Sequence, residues 1–269
     1  MRIPVRETSG EPRSRRIHAP DAAGSRMPTR GSLSFAMPTT AEGFASRTQQ
    51  IKADLVAQGS RVQAMLELSC AALFERKSNL ASQAIEMDEA VDNADVAIEQ
   101  AAVSLLTDAT REGASLDPQH LRAVLTIVKA NNELERVADV AVDIAEMVPA
   151  VSQIATPFPD TFRVLANSVI GILRDTNTSL SRNDPSIANI VLQSQHAVWA
   201  FKAALLREAE QQVAKGKYPV EFAFHLHETA SMCEVIADHC TNIAEQVIYQ
   251  TTGAIVRHAE NCWVEVPRQ

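Results

Sequence analysis

From residue 41 onward, apolar positions recur at three- and four-residue spacing, the period of a helix with one packed face. Val56, Val62, Met65, Leu66, Leu73 and Phe74 mark a first helix over 44–75. A second runs to about residue 110, with Ser78 or Asn79 able to cap its start. A loop over 111–115 follows, containing Gly113. Asp117-Pro118, a capping acid followed by proline at the first helical position, opens a third helix that stops at Val148-Pro149. The stretch PAVSQIATPFPD carries Pro149, Pro157 and Pro159 and reads as a linker. The pattern then restarts: a fourth helix over 161–180, a fifth from Asp184-Pro185 to about 213, and a sixth from Pro219 to Thr252-Gly253.

Three long helices, a linker and three long helices imply a duplication. Shifting the chain by 99 residues tests it. Glu135, Ala138, Asp139, Ile144, Ala145, Glu146 and Val148 then meet Glu234, Ala237, Asp238, Ile243, Ala244, Glu245 and Val247, seven identities in the fourteen positions 135–148. The apolar stripe repeats as well. Ala123, Ile127, Ala130, Leu134, Val137, Ala141, Ile144 and Val148 match Phe222, Leu226, Thr229, Cys233, Ile236, Cys240, Ile243 and Val247. The expected fold is all-α, with six long helices in two pseudo-symmetric three-helix bundles. The first bundle covers 41–149, the linker 150–159, the second bundle 160–253 and a tail 254–269.

Composition agrees with this. Of 269 residues 46% are hydrophobic and only 4% aromatic, ample for a helical core and ill suited to a sandwich or barrel. The net charge of -8 argues against a nucleic-acid partner. No apolar run is long enough to span a bilayer. Residues 1–40 are rich in Arg, Pro, Gly and Ser and read as a basic, disordered extension without a secretory signal; Met27 or Met37 is an alternative start. Cys70, Cys233, Cys240 and Cys262 form no CxxC pair and suit free thiols in a reducing cytoplasm.

The chemistry lies in a stripe of acids. Glu135, Asp139 and Asp143 stand four residues apart on one helix face, where like charges repel by roughly 0.2–0.5 kcal/mol per pair. An acidic face is ordinarily just a solvated face. Here Arg136 is the only basic residue among them, and they crowd the C-terminal half, where the helix dipole disfavours anions. The placement recurs as Glu234, Asp238 and Glu245, with Asn242 in place of the third acid. The second helix adds Asp88 and Asp92. Carboxylates one turn apart suit a hard cation such as Mg²⁺ or Mn²⁺, or iron. A ferritin-like di-iron site is not expected, because no histidine follows a glutamate by three residues. His239 sits about 100° around the helix from Asp238 and is a poor partner for that stripe. No phosphate-binding loop, nucleophile elbow, dinucleotide motif or zinc spacing is present, so no enzymatic activity is expected.

The segments LRAVLTIVKANNELERVADVAVDIAE and CEVIADHCTNIAEQVIYQTTG resemble the two motif helices of the PhoU family of phosphate-transport regulatory proteins. LASQAIEMDEAVDNADVAIE resembles the neighbouring helix with its acidic pair. The resemblance covers 41–253 and implies two three-helix bundles with multinuclear iron or zinc held at Glu/Asp-x-x-x-Asp motifs. By that match Asp88, Asp92, Glu135 and Asp139, joined by Asp143 where the family has Asn, serve the first site; Glu234, Asp238 and Asn242 serve the second. Gln195 and Trp199 stand where the second half lacks the acids corresponding to Asp88 and Asp92, so its site is expected to bind metal more weakly. The resemblance also implies a cytoplasmic protein, peripheral to the membrane through its partners, and helical bundles of this kind suit a homodimer. It would restrain phosphate uptake and starvation signalling as an adaptor between a phosphate ABC transporter ATPase and a sensor histidine kinase. An accessory protein of another phosphate carrier and a metal-storage bundle are the alternatives.

Overall fold

The computed structural model describes residues 41–259 and 262–266, so the expected N-terminal extension and the choice of start lie outside the described residues. Among the described residues the chain forms α1 (Ala41–Glu75), α2 (Ser78–Glu86), α3 (Asp88–Arg111), α4 (Pro118–Glu146), α5 (Val148–Ser152), α6 (Asp160–Arg182), α7 (Pro185–Ala214) and α8 (Val220–Thr252). Two strands follow, β1 (Ile255–Ala259) and β2 (Cys262–Val266). Helices α1, α3 and α4 pack as one bundle and α6, α7 and α8 as another, with α4 against α8 and α1 against α6.

The start signals act as their chemistry dictates. The Asp117 carboxylate accepts from the His120 N–H at 2.8 Å, and Asp184 accepts from the N–H groups of Ser186 and Ile187. In each case proline takes the first helical position. The periodic stripe becomes the core: in the first half six positions on α4 and Val148 on α5 are buried, only Ala123 being half-covered, and all eight on α8 are buried. Leu134 and Ile144 are wholly buried, each worth about 1.5–3 kcal/mol of apolar transfer.

Four features depart from the expected organisation. The second helix is two. At Met87 the N–H turns to the Ala84 carbonyl three residues back, and Ala90 and Val91 both donate to the Met87 carbonyl. No Pro or Gly marks this break. Neither Ser78 nor Asn79 caps α2; Lys77 holds that position without a side-chain capping bond. The chain reaches it through Arg76, left-handed at φ 56°, which closes α1 by a bond from the Lys77 N–H to Ala72 O. The strain is offset by the Arg76 side chain, which donates to the Thr156 carbonyl and lies over the Phe158 ring. Third, the linker opens with the short helix α5 and is packed. Val148 and Val151 of α5 are buried, and Phe158 meets Phe74, Phe162 and Phe222 at ring separations of 5.3–5.5 Å. Fourth, the tail folds as an antiparallel hairpin with Ile255 opposite Val266. Trp263 Nε1 donates to the Leu192 carbonyl at 3.0 Å, and Arg257 pairs with Glu245 of α8.

Polar contacts set how the bundles meet. Lys52 of α1 is buried, and its ammonium donates to the Ser181 carbonyl at 3.0 Å and to Asn183 Oδ1 at 2.8 Å, capping α6 with a cation. Gly59 lets α1 approach α6: a Cβ there would meet Asn177 Oδ1 at 2.4 Å, and Asn177 Nδ2 donates to the Gly59 carbonyl.

Candidate metal centre

Helix α4 turns Val137, Ala138, Ala141 and Ile144 inward, which leaves Asp139 and Asp143 exposed and Glu135 half-covered. The start of α3 brings Asp88 and Asp92 to the same region. Burial, followed by the charges of Asp92 and Asp139, raises the Asp88 carboxyl above the ordinary aspartate range. Its Oδ1 is closed off from solvent and has no hydrogen-bond partner. Asp143, although exposed as a residue, is raised likewise, by partial desolvation of its carboxyl against the helix surface and then by the charges of Glu146, Asp139 and Glu228. The fold therefore brings Asp88, Asp92 and Asp139 together, with Asp143 continuing the negative field toward α8. An orphaned carboxylate oxygen among mutually repelling acids is the environment a cation relieves. Among the described residues no three His, Cys, Asp or Glu side chains already converge as a metal centre, so a metal would have to draw these carboxylates inward.

The second half is built differently. Glu234 forms an ion pair with Lys202 of α7. Asp238 accepts from the Gln195 amide, which stands opposite it as Asp88 stands beside Asp139. Burial raises the Asp238 carboxyl, the Gln195 bond opposes that, and Glu234 adds to it. The Asn242 amide donates to Glu133 Oε2 at 3.0 Å. All three expected ligands of this half have partners within the protein, and Gln195 and Asn242 stand where the first half has Asp88 and Asp143, so the donor set carries less negative charge for a metal. Lys202 sits on α7, thirty-two residues from its partner, so no local charge pattern reveals it.

Sequence reasoning also passed over the seam between α4 and α8. Glu133 Oε2 lies 2.7 Å from His239 Nδ1 and accepts from Asn242. Burial alone pushes the Glu133 carboxyl up, but its bonds to His239 and Asn242 outweigh that and hold it below the ordinary range. One signal was available. The 99-residue shift places Met232 opposite Glu133 and Val140 opposite His239, so each polar residue occurs in one half only. Where a repeat breaks its symmetry with complementary polar groups, the two copies are free to pair.

The PhoU domain model matches residues 56–148 and again 162–247, one copy on each bundle. The chain belongs to the PhoU family. It is 28% identical over 218 residues to a phosphate-specific transport system accessory protein PhoU homolog of Pseudomonas putida, covering 80% of this chain and 83% of that one. It is 27% identical over 216 residues to the PhoU accessory protein of Escherichia coli (strain K12), covering 80% and 88%. The crystal structure of the phosphate transport system regulatory protein PhoU from Streptococcus pneumoniae superposes with a TM-score of 0.71 at 21% identity, over 80% of this chain and all of that one. PhoU from Pseudomonas aeruginosa gives 0.71 at 23%, over 78% and 99%. These two establish the PhoU fold. The acidic faces lie on α3, α4 and α8, within the matched residues, whereas the hairpin lies beyond them. Among the described residues no helix is long and apolar enough to cross a membrane.

Proposed function

We propose that this PhoU-family chain is a cytoplasmic, non-enzymatic accessory protein of a phosphate transport system that restrains phosphate uptake and starvation signalling when phosphate is plentiful. It acts as an adaptor, placing the transporter ATPase and a sensor histidine kinase on one helical platform. The observation that carries the reading is the doubled PhoU domain on two bundles, matched along most of the length of curated relatives named as phosphate-transport accessory proteins. Long paired helices offer the extended faces that partner helices recognise. Asp88, Asp92, Glu135, Asp139 and Asp143 would hold iron or zinc in the first half, and the bound metal would neutralise a face that otherwise repels itself. Its place is supported by the orphaned Asp88 oxygen.

The test is alkaline phosphatase output in phosphate-rich medium, with and without the gene. Constitutive output in the deletion strain, reversed by the wild-type gene, is the expected result. Unchanged output would overturn the regulatory role and leave an accessory protein of another carrier or a metal-storage bundle.

A further inference from the structure

A cavity of about 810 Å³ lies not on the acidic stripe of α4 but in the seam where α3, α4, α7 and α8 meet beneath the hairpin. Its size falls within the range of small-molecule sites, well beyond what a metal ion fills. Asp95, Glu99, Glu133, Asp238 and Glu245 line it against Lys129 and Arg257. Arg257 is paired with Glu245, and Glu133 is held by His239 and Asn242, so the excess negative charge gathers at Asp95, Glu99 and Asp238.

A second observation points to a ligand. Asn131 lines the cavity and is 2% exposed. Its Nδ2 donates to the Asp95 backbone carbonyl at 3.0 Å and to Asp95 Oδ1 at 2.7 Å, which fixes the amide's orientation. The amide oxygen is then buried without any hydrogen-bond partner. A buried acceptor left unpaired costs about 1–3 kcal/mol, and an N–H donor removes that cost. Trp263 supplies an indole wall, the side chain best suited to face a cation and its methylenes.

We propose that this cavity binds an aliphatic polyamine. Its ammonium groups meet Asp95, Glu99 and Asp238, one N–H reaches the Asn131 oxygen, and its methylenes lie along Trp263. An anion or nucleotide is disfavoured by the charge of the walls. A bare metal ion would leave most of a cavity of this size unfilled. The hairpin that carries Trp263 and Arg257 forms the roof, so this site depends on a segment beyond the matched family domains.

The chain has two tryptophans, so Trp199→Phe in the full-length protein leaves Trp263 as the sole indole reporter. Titration with spermidine is expected to give a saturable change in Trp263 emission, with one site per chain by calorimetry. Glu99→Gln, at an exposed position on the cavity wall, and the pair Asp95→Asn with Glu99→Gln should weaken binding, the pair by about tenfold or more. The pair Asp92→Asn with Asp139→Asn, which removes equal charge from the candidate metal face, should leave it within about twofold. Because Asp95 also holds Asn131, thermal melts accompany each variant, and Glu99→Gln alone serves if the pair fails to fold. No saturable change, equal weakening by both pairs, or displacement by Mg²⁺ at matched charge would each overturn the proposal, the last two by showing diffuse attraction to an acidic chain. Loss of metal binding in the Asp92/Asp139 pair would leave the polyamine result standing, so the two readings fail separately.

Discussion

Glu245 offers a direct measure of what the tertiary structure imposes on one side chain. It lies near the end of α8, 7% exposed, and pairs with Arg257 of the hairpin. Burial is the dominant influence on its carboxyl; Arg257 opposes it, Glu133 adds to it, and the net result is a rise from an ordinary 4.5 to about 7. The pairing with Arg257 is therefore already counted, and desolvation still wins, as expected when one partner is buried and the other is half-exposed. The sign follows from linkage. Between the unfolded and folded values the native state binds more protons than the unfolded state, so stability is fully present below about pH 4.5 and declines as pH rises through about 7. At about 1.36 kcal/mol per pH unit the loss amounts to roughly 3 kcal/mol.

Glu245→Gln keeps the shape and removes the titration. The variant should gain about 2–3 kcal/mol over wild type at pH 8 and nothing at pH 4, which for a chain of this length raises Tm by about 5–10 °C at the higher pH. The assay is urea unfolding of both proteins across that range. The comparison is between the two pH slopes, because Asp88, Asp95, Asp143 and Asp238 are also raised and tilt both curves alike. Identical slopes, or a variant less stable than wild type at pH 8, would refute the reasoning and show that the Arg257 bond outweighs the burial.

Three further outcomes are expected. Replacing Asp88, Asp92 and Asp139 together with Asn should abolish iron or zinc retained after purification, measured by elemental analysis, while Glu234→Gln with Asp238→Asn should leave the metal content nearly unchanged; the opposite ranking would place the metal on the second half. Glu133→Ala, which leaves His239 and the Asn242 amide without their shared partner, should cost about 1–3 kcal/mol in urea unfolding and speed amide exchange along the α4–α8 seam. Leu134→Ala, at a wholly buried position of α4, should cost about 2–5 kcal/mol with an unchanged denaturant slope, and a cost under about 1 kcal/mol would mean the site collapses to fill the cavity.

The sequence by itself determined the helices and their repetition. A helix is held by bonds between residues four apart, so its period, its Asp-Pro starts and its Gly253 stop are written locally, and the elements over 118–146, 185–214 and 220–252 stand within a residue or two of where periodicity and caps place them. The acidic stripe of α4 was legible for the same reason: its members share one helix face whatever the helix packs against. What lay beyond local spacing was decided by tertiary structure. The break at Met87 has no proline or glycine to announce it, and the hairpin past Gly253 departs from helical periodicity altogether. The two halves look alike as sequences, yet Lys202 and Gln195 reach α8 from α7 and engage Glu234 and Asp238, while Asp88 comes to α4 from α3 with an oxygen unpartnered. The physical reason is range. Backbone periodicity acts over four residues, but a carboxylate's burial, its neighbours' charges and its hydrogen-bond partners are set by side chains from other helices, which only the packing of the two bundles brings within reach.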